Sequence, residues 1–134
     1  MSMDEISRSD IRKVNFLRNE ANLERRTIEN QQAFLQGYET RRSNFQEIRP
    51  DAPDPKLIDI KIGEISTEID RTQANIGYSA QMLQSHARQL GNLIDGKVRP
   101  KDLIEATEID IGEHNRFLQS GGHRFLGQKG LGGN

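Results

Sequence analysis

Cysteine is absent from this 134-residue chain, which excludes disulfide cross-links and cysteine-ligated zinc and leaves the redox compartment open. Tryptophan is also absent, and only five Phe and two Tyr supply aromatic bulk. Hydrophobic residues make up 33 % of the chain, too few for a thick self-contained core. An elongated helical hairpin, or a subunit that completes its core with neighbours, fits that composition better. Neither sign of charge dominates: 19 basic residues face 20 acidic ones, for a net charge of −1. That balance argues against electrostatic capture of nucleic acid or an anionic membrane. No run approaches the roughly 18 apolar residues of a spanning helix. Met1-Ser2-Met3-Asp4-Glu5-Ile6 lacks the basic and apolar regions of a signal peptide. The expectation is a soluble chain, cytoplasmic where it is made, with a particle or secretion structure as a setting into which it could be incorporated.

Proline is rare but concentrated. Three of the four prolines fall within Arg49-Pro50-Asp51-Ala52-Pro53-Asp54-Pro55. Proline disfavours helical geometry in the residue before it, so this stretch ends one helix. Asp54-Pro55 starts the next, with an aspartate N-cap and proline at the first helical position. Two long helices joined by a rigid turn imply an antiparallel hairpin. Pro50 to Leu57 resembles the Pro-rich turn of type III secretion needle subunits, which are helical hairpins that polymerise into a hollow filament. The likeness is confined to those eight residues and reads as convergent turn chemistry. This chain is longer, and its Gly-rich tail has no counterpart in that pattern.

Upstream of the turn, Ser2-Met3-Asp4-Glu5 has capping-box spacing, which predicts a helix over about 3–48. Val14, Leu17, Ala21, Ile28, Leu35, Tyr38 and Phe45 form its main apolar row, interrupted by Glu24 and Gln31. A second row, Phe16, Leu23, Phe34 and Ile48, lies to one side. Two apolar rows imply contact with more than one helix.

The helix predicted over about 55–95 carries the plainest pattern. Ile62, Ile69, Ile76, Leu83 and Leu90 recur every seven residues at heptad position a. Ile58, Ile65, Thr72, Ser79, His86 and Leu93 occupy position d. This is a helix–helix seam with a polar middle. Gly63, Gly77 and Gly91 sit fourteen apart beside it, each after an Ile or Leu. Glycine weakens a helix interior by roughly 1 kcal/mol relative to alanine, so a glycine row in register points to close helix–helix approach. The expected packing residues are Ile62, Gly63, Ile69, Ile76, Gly77, Leu83, Leu90 and Gly91.

A shorter helix follows over about 100–118, completing a helical domain over 1–118. Residues 119–134 form a Gly-rich tail that cannot bury enough to fold alone. Arg116-Phe117-Leu118 recurs as Arg124-Phe125-Leu126. Each pairs an apolar anchor with a directional donor, which points to docking on a partner. The fold class expected is therefore all-α: a long antiparallel hairpin of coiled-coil character, a third shorter helix and an extended Gly-rich C-terminal tail.

Catalytic motifs are missing: there is no Gly-x-Ser-x-Gly, no Walker phosphate loop, no dinucleotide fingerprint and no His-Glu-x-x-His. Asp110, Glu113 and His114 share a helical face at metal-compatible spacing, but the paired Glu-x-x-His of a four-helix di-metal site is missing. A solvated acidic face is the simpler reading. No catalytic, cofactor or metal residue and no small-molecule substrate is expected. The leading expectation is a non-enzymatic structural subunit that joins copies of itself or other subunits, as in virions and secretion or ejection machines. The alternative is a small regulatory adaptor or inhibitor with one protein target. Nucleic-acid binding through a basic face is a weaker third, because acids interleave with the bases of the first helix.

Overall fold

A computed structural model describes residues 7–95 and 101–122. It contains α1 (Arg8–Ile48), α2 (Pro55–Ile94) and α3 (Lys101–Phe117), with no strand among the described residues. The all-α hairpin with a shorter third helix is the observed architecture. No helix is long and apolar enough to cross a membrane among the residues described.

Local chemistry sets the helix ends. Ser7 is extended, at φ −74° and ψ 165°, and its hydroxyl accepts from the Asp10 amide at 3.0 Å. That satisfies one of the amides a helix start leaves free. α1 thus starts at Arg8 rather than at about residue 3. The Ser2–Glu5 box lies outside the described residues, and Ser7…Asp10 repeats its spacing. At the other end, Pro50 sits in a single 3-10 turn, Arg49–Asp51. The Asp54 carboxylate accepts from the Leu57 amide at 3.3 Å with Pro55 at the first helical position, as the sequence predicts. Arg49 clasps the turn by donating to both Asp59 oxygens, at 2.6 and 3.0 Å. These bonds hold the Asp59 carboxyl below its ordinary range.

α1 and α2 run antiparallel along their lengths. Arg42 of α1 meets Ser66 of α2, and Glu24 meets His86, so pairings advance in opposite directions. One cluster joins Ala21, Ile28 and Leu35 to Ile65, Ile69, Ile76, Ala80 and Leu83. A smaller cluster at the open end of the hairpin joins Val14 and Leu17 to Leu90 and Ile94.

The buried face of α2 is not the uninterrupted heptad that the sequence suggests. Ile65, Ile69, Thr72 and Ile76 follow the a/d pattern, and then burial passes to Ala80, Leu83, Ala87, Leu90 and Ile94. Two four-residue steps meet at Ile76, which is a stutter in the repeat. An α-helix has 3.6 residues per turn, so a 3.5-residue stripe drifts round its surface until an extra residue resets it. Ser79, His86 and Leu93 therefore sit half-buried at the flank, and Ala80, Ala87 and Ile94 hold the seam. Of the predicted a positions, Ile69, Ile76, Leu83 and Leu90 are buried and Ile62 is half-buried. Thr72, the buried polar position, donates to the Glu68 carbonyl at 2.7 Å and so leaves no unsatisfied hydroxyl.

α3 folds back on the open half of the hairpin. Leu103 and Ile111 pack on the smaller cluster, and Phe117 and Leu118 reach the larger one. The direction of α3 therefore matches that of α1. Thr107 is fully buried and donates to the Leu103 carbonyl. A π-helical turn, Leu118–Gly122, follows. Among the described residues, the turn-proximal half of the hairpin is a pair of helices.

Candidate interaction surface

Among the described residues, the second apolar row of α1 has no partner within the chain. Phe16, Leu23, Phe34 and Ile48 are 59 %, 55 %, 59 % and 52 % exposed. Their spacings of seven, eleven and fourteen residues all return to one helical face. The buried row, with Val14, Ala21, Ile28 and Leu35, occupies the other face and meets α2 and α3. The two rows thus separate into an inner core and an outer strip. The expectation that α1 touches more than one helix is met inside the chain by α2 and α3, and the outer row is left over. Hollows lie near both ends of the strip. An open groove of ≈ 500 Å³ is lined by Lys13, Phe16 and Leu17 of α1 with Gln89, Asn92 and Leu93 of α2. A smaller hollow of ≈ 240 Å³ is lined by Arg41, Asn44, Phe45 and Ile48.

The glycine row behaves differently along its length. Gly77 is buried, whereas Gly63 is exposed and Gly91 half-buried. A Cβ at Gly63 or Gly91 would meet nothing within 4 Å. Among the described residues, then, neither brings α2 close to another helix, and the packing between helices falls on the aliphatic residues beside these glycines.

Arg-Phe-Leu has a structural use at its first copy. Leu118 is only 6 % exposed and belongs to the larger cluster, and Phe117 packs partly buried against it. Arg116 stays exposed. Phe117 and Leu118 are thereby committed to the chain's own core, which corrects their reading as docking residues. Arg124, Phe125 and Leu126 lie outside the described residues. Leu118→Ala is expected to lower unfolding stability by about 2–3 kcal/mol, the cost of truncating a buried leucine. A urea titration followed by helical circular dichroism measures this; an unchanged midpoint would return Leu118 to the surface.

Polar groups between the helices sort into three arrangements. Glu24, which interrupts the inner row of α1, lies 2.7 Å from Nδ1 of His86, the polar flank of α2. Burial raises the Glu24 pKa, and the bond to His86 opposes that shift. The two interruptions read separately in sequence thus answer each other across the hairpin. Next, Arg18 and Arg25 of α1 reach α3: Arg18 Nε donates to Asp110 at 2.5 Å, and Arg25 Nη1 to Glu113 at 3.2 Å. Asp110 is largely covered at this contact, while the Glu113 side chain keeps 42 % exposure. They pair with arginines seven residues apart on α1, and no metal-competent group of three ligand residues occurs among the described residues. Finally, His114 is fully buried, and neither ring nitrogen has a hydrogen-bond partner. Burial, followed by the nearby Arg25 charge, pulls its pKa below the ordinary 6.5. Sequence spacing shows that Asp110, Glu113 and His114 are neighbours, but not that the histidine turns inward while the carboxylates meet α1.

Comparison of the chain with protein families, curated proteins and solved structures finds no match.

Proposed function

We propose that this protein is a non-enzymatic structural subunit that self-associates through the outer face of α1. The observation that carries this reading is the strip of Phe16, Leu23, Phe34 and Ile48, each more than half exposed. Scattered surface apolar residues are ordinary, but large side chains aligned on one face mark an interaction surface. Four in register over 33 residues, some 50 Å of helix, outline a surface that covers most of the length of the 41-residue α1. The hollows beside Phe16 and Ile48 give knobs and holes at both ends of the strip. A second copy laid antiparallel would bring each Phe16 towards the other's Ile48 hollow. Such a twofold contact uses the same patch on both partners, as closed homodimers do. Further exposed apolar residues, Ile60, Tyr78 and Ile109, offer additional contacts for growth beyond a pair. Gly63 and Gly91 suit close approach by a neighbour, because the described helices leave them open.

Virions and secretion or ejection machines are settings for such a subunit by analogy of form. An adaptor that binds one target through the same strip is the alternative reading. Solution mass separates the two: self-association raises it with concentration, and an adaptor stays small until its target is added.

A further inference from the structure

We propose that α3 is an acid-released arm: protonation of His114 expels it from the hairpin while α1 and α2 stay paired. This device is independent of self-association. His114 sits on the inner face of α3 at 0 % exposure, with both ring nitrogens unpartnered. A neutral imidazole tolerates that place as a bulky, mostly apolar ring. An imidazolium does not, because it brings a charge and two N–H donors into a layer that offers no acceptor.

The surrounding charges do not rescue it. Arg25 of α1 is close enough to disfavour a second cation. Asp110 and Glu113 on α3 favour one, but hydrogen bonds from Arg18 and Arg25 already engage them. The buried face of α2 contains no ionisable residue, and His86 at its flank is held by Glu24 of α1. The α3 C-terminus favours a cation in its last turn, yet burial outweighs that contribution. His114 is therefore depressed in the folded state. Its contribution to stability is present above the unfolded value near 6.5 and is lost as pH falls through the folded value.

Two features confine the response to α3. With 17 residues, it is the shortest of the three helices and packs on only the open half of the hairpin, whereas α1 and α2 are joined by both clusters. The second interior histidine, His86, is instead tied into the hairpin itself. Nδ1 of His86 lies 2.7 Å from a Glu24 carboxylate oxygen, a bond that holds α1 to α2. Release of α3 would bare Val14, Leu17, Leu90 and Ile94, a fresh apolar surface at the hairpin's open end.

The lack of native cysteine makes site-directed spin labelling direct. Asn19→Cys with Glu108→Cys reports the α1–α3 distance, and Ser43→Cys with Glu64→Cys reports the hairpin; all four positions are exposed. Between about pH 7.5 and pH 5 the first distance is expected to lengthen and broaden by roughly a helix diameter, ~10 Å, while the second holds. His114→Leu, or His114→Phe should the leucine variant fail to fold, is expected to abolish the change. An unchanged α1–α3 distance in the otherwise native chain overturns the proposal. So does an equal change in either His114 variant, or a simultaneous loss of the hairpin distance.

Discussion

Ala80→Glu is expected to destabilise the hairpin by about 3–5 kcal/mol, while Ser79→Glu, one residue earlier, costs less than about 1 kcal/mol. Ala80 is fully buried among Ile76, Leu83 and the residues of α1. A carboxylate there would be an uncompensated charge in the seam. Ser79 is half-buried at the flank, where a longer side chain can reach water, and glutamate is a better helix former than serine. An unbroken heptad makes the opposite forecast, since it places Ser79 in the seam and Ala80 beside it. Urea unfolding of the two variants therefore decides whether the repeat resets at Ile76. Equal losses, or a larger loss at Ser79, would remove the stutter.

The triple variant Phe16→Glu, Leu23→Glu, Phe34→Glu is expected to abolish self-association without unfolding the chain. The three side chains are more than half exposed, so their replacement leaves both clusters intact. Burying one such side chain contributes about 1.5–3 kcal/mol. Losing three anchors and adding like charges across a twofold contact should weaken association by at least ~100-fold. Sedimentation velocity would show the change in mass, and circular dichroism would show that the helices remain. If the variant assembles like the parent chain, the outer face of α1 is not the interface, and attention moves to Ile60, Tyr78 and Ile109.

The fold was largely readable because its strongest signals are local. Pro50, Asp54 and Pro55 act within a few residues of themselves, and their chemistry stops α1 and starts α2 as the sequence predicts. The aliphatic a positions of α2 likewise declare a packed face, and four of the five are buried. What escaped was set by contacts between distant residues. Nothing near Glu24 indicates that its partner is His86, 62 residues away, nor near Arg18 that Asp110 will meet it. The stutter was hidden by the heptad template itself, which assigned Ser79 and His86 to the seam and made it look polar. Counting Ala80, Ala87 and Ile94 as a continuous apolar row would have exposed it. Arg116-Phe117-Leu118 looked like a docking motif because composition alone cannot tell a helix's last buried turn from the start of a tail.

The outer face of α1 presents the converse case. Phe16, Leu23, Phe34 and Ile48 were visible as a second row, but a sequence does not say which of two apolar rows a chain uses for itself. Burial of the row containing Val14, Ala21, Ile28 and Leu35 settles that choice and leaves the other for the proposed partner.

Multi-angle light scattering of the purified chain over a concentration series, at neutral pH so that α3 stays in place, tests self-association most directly. The expected result is a mass at least twice the 15.2 kDa of one chain, rising with concentration. A constant 15.2 kDa across the series would contradict the account and leave the outer face of α1 to a different protein.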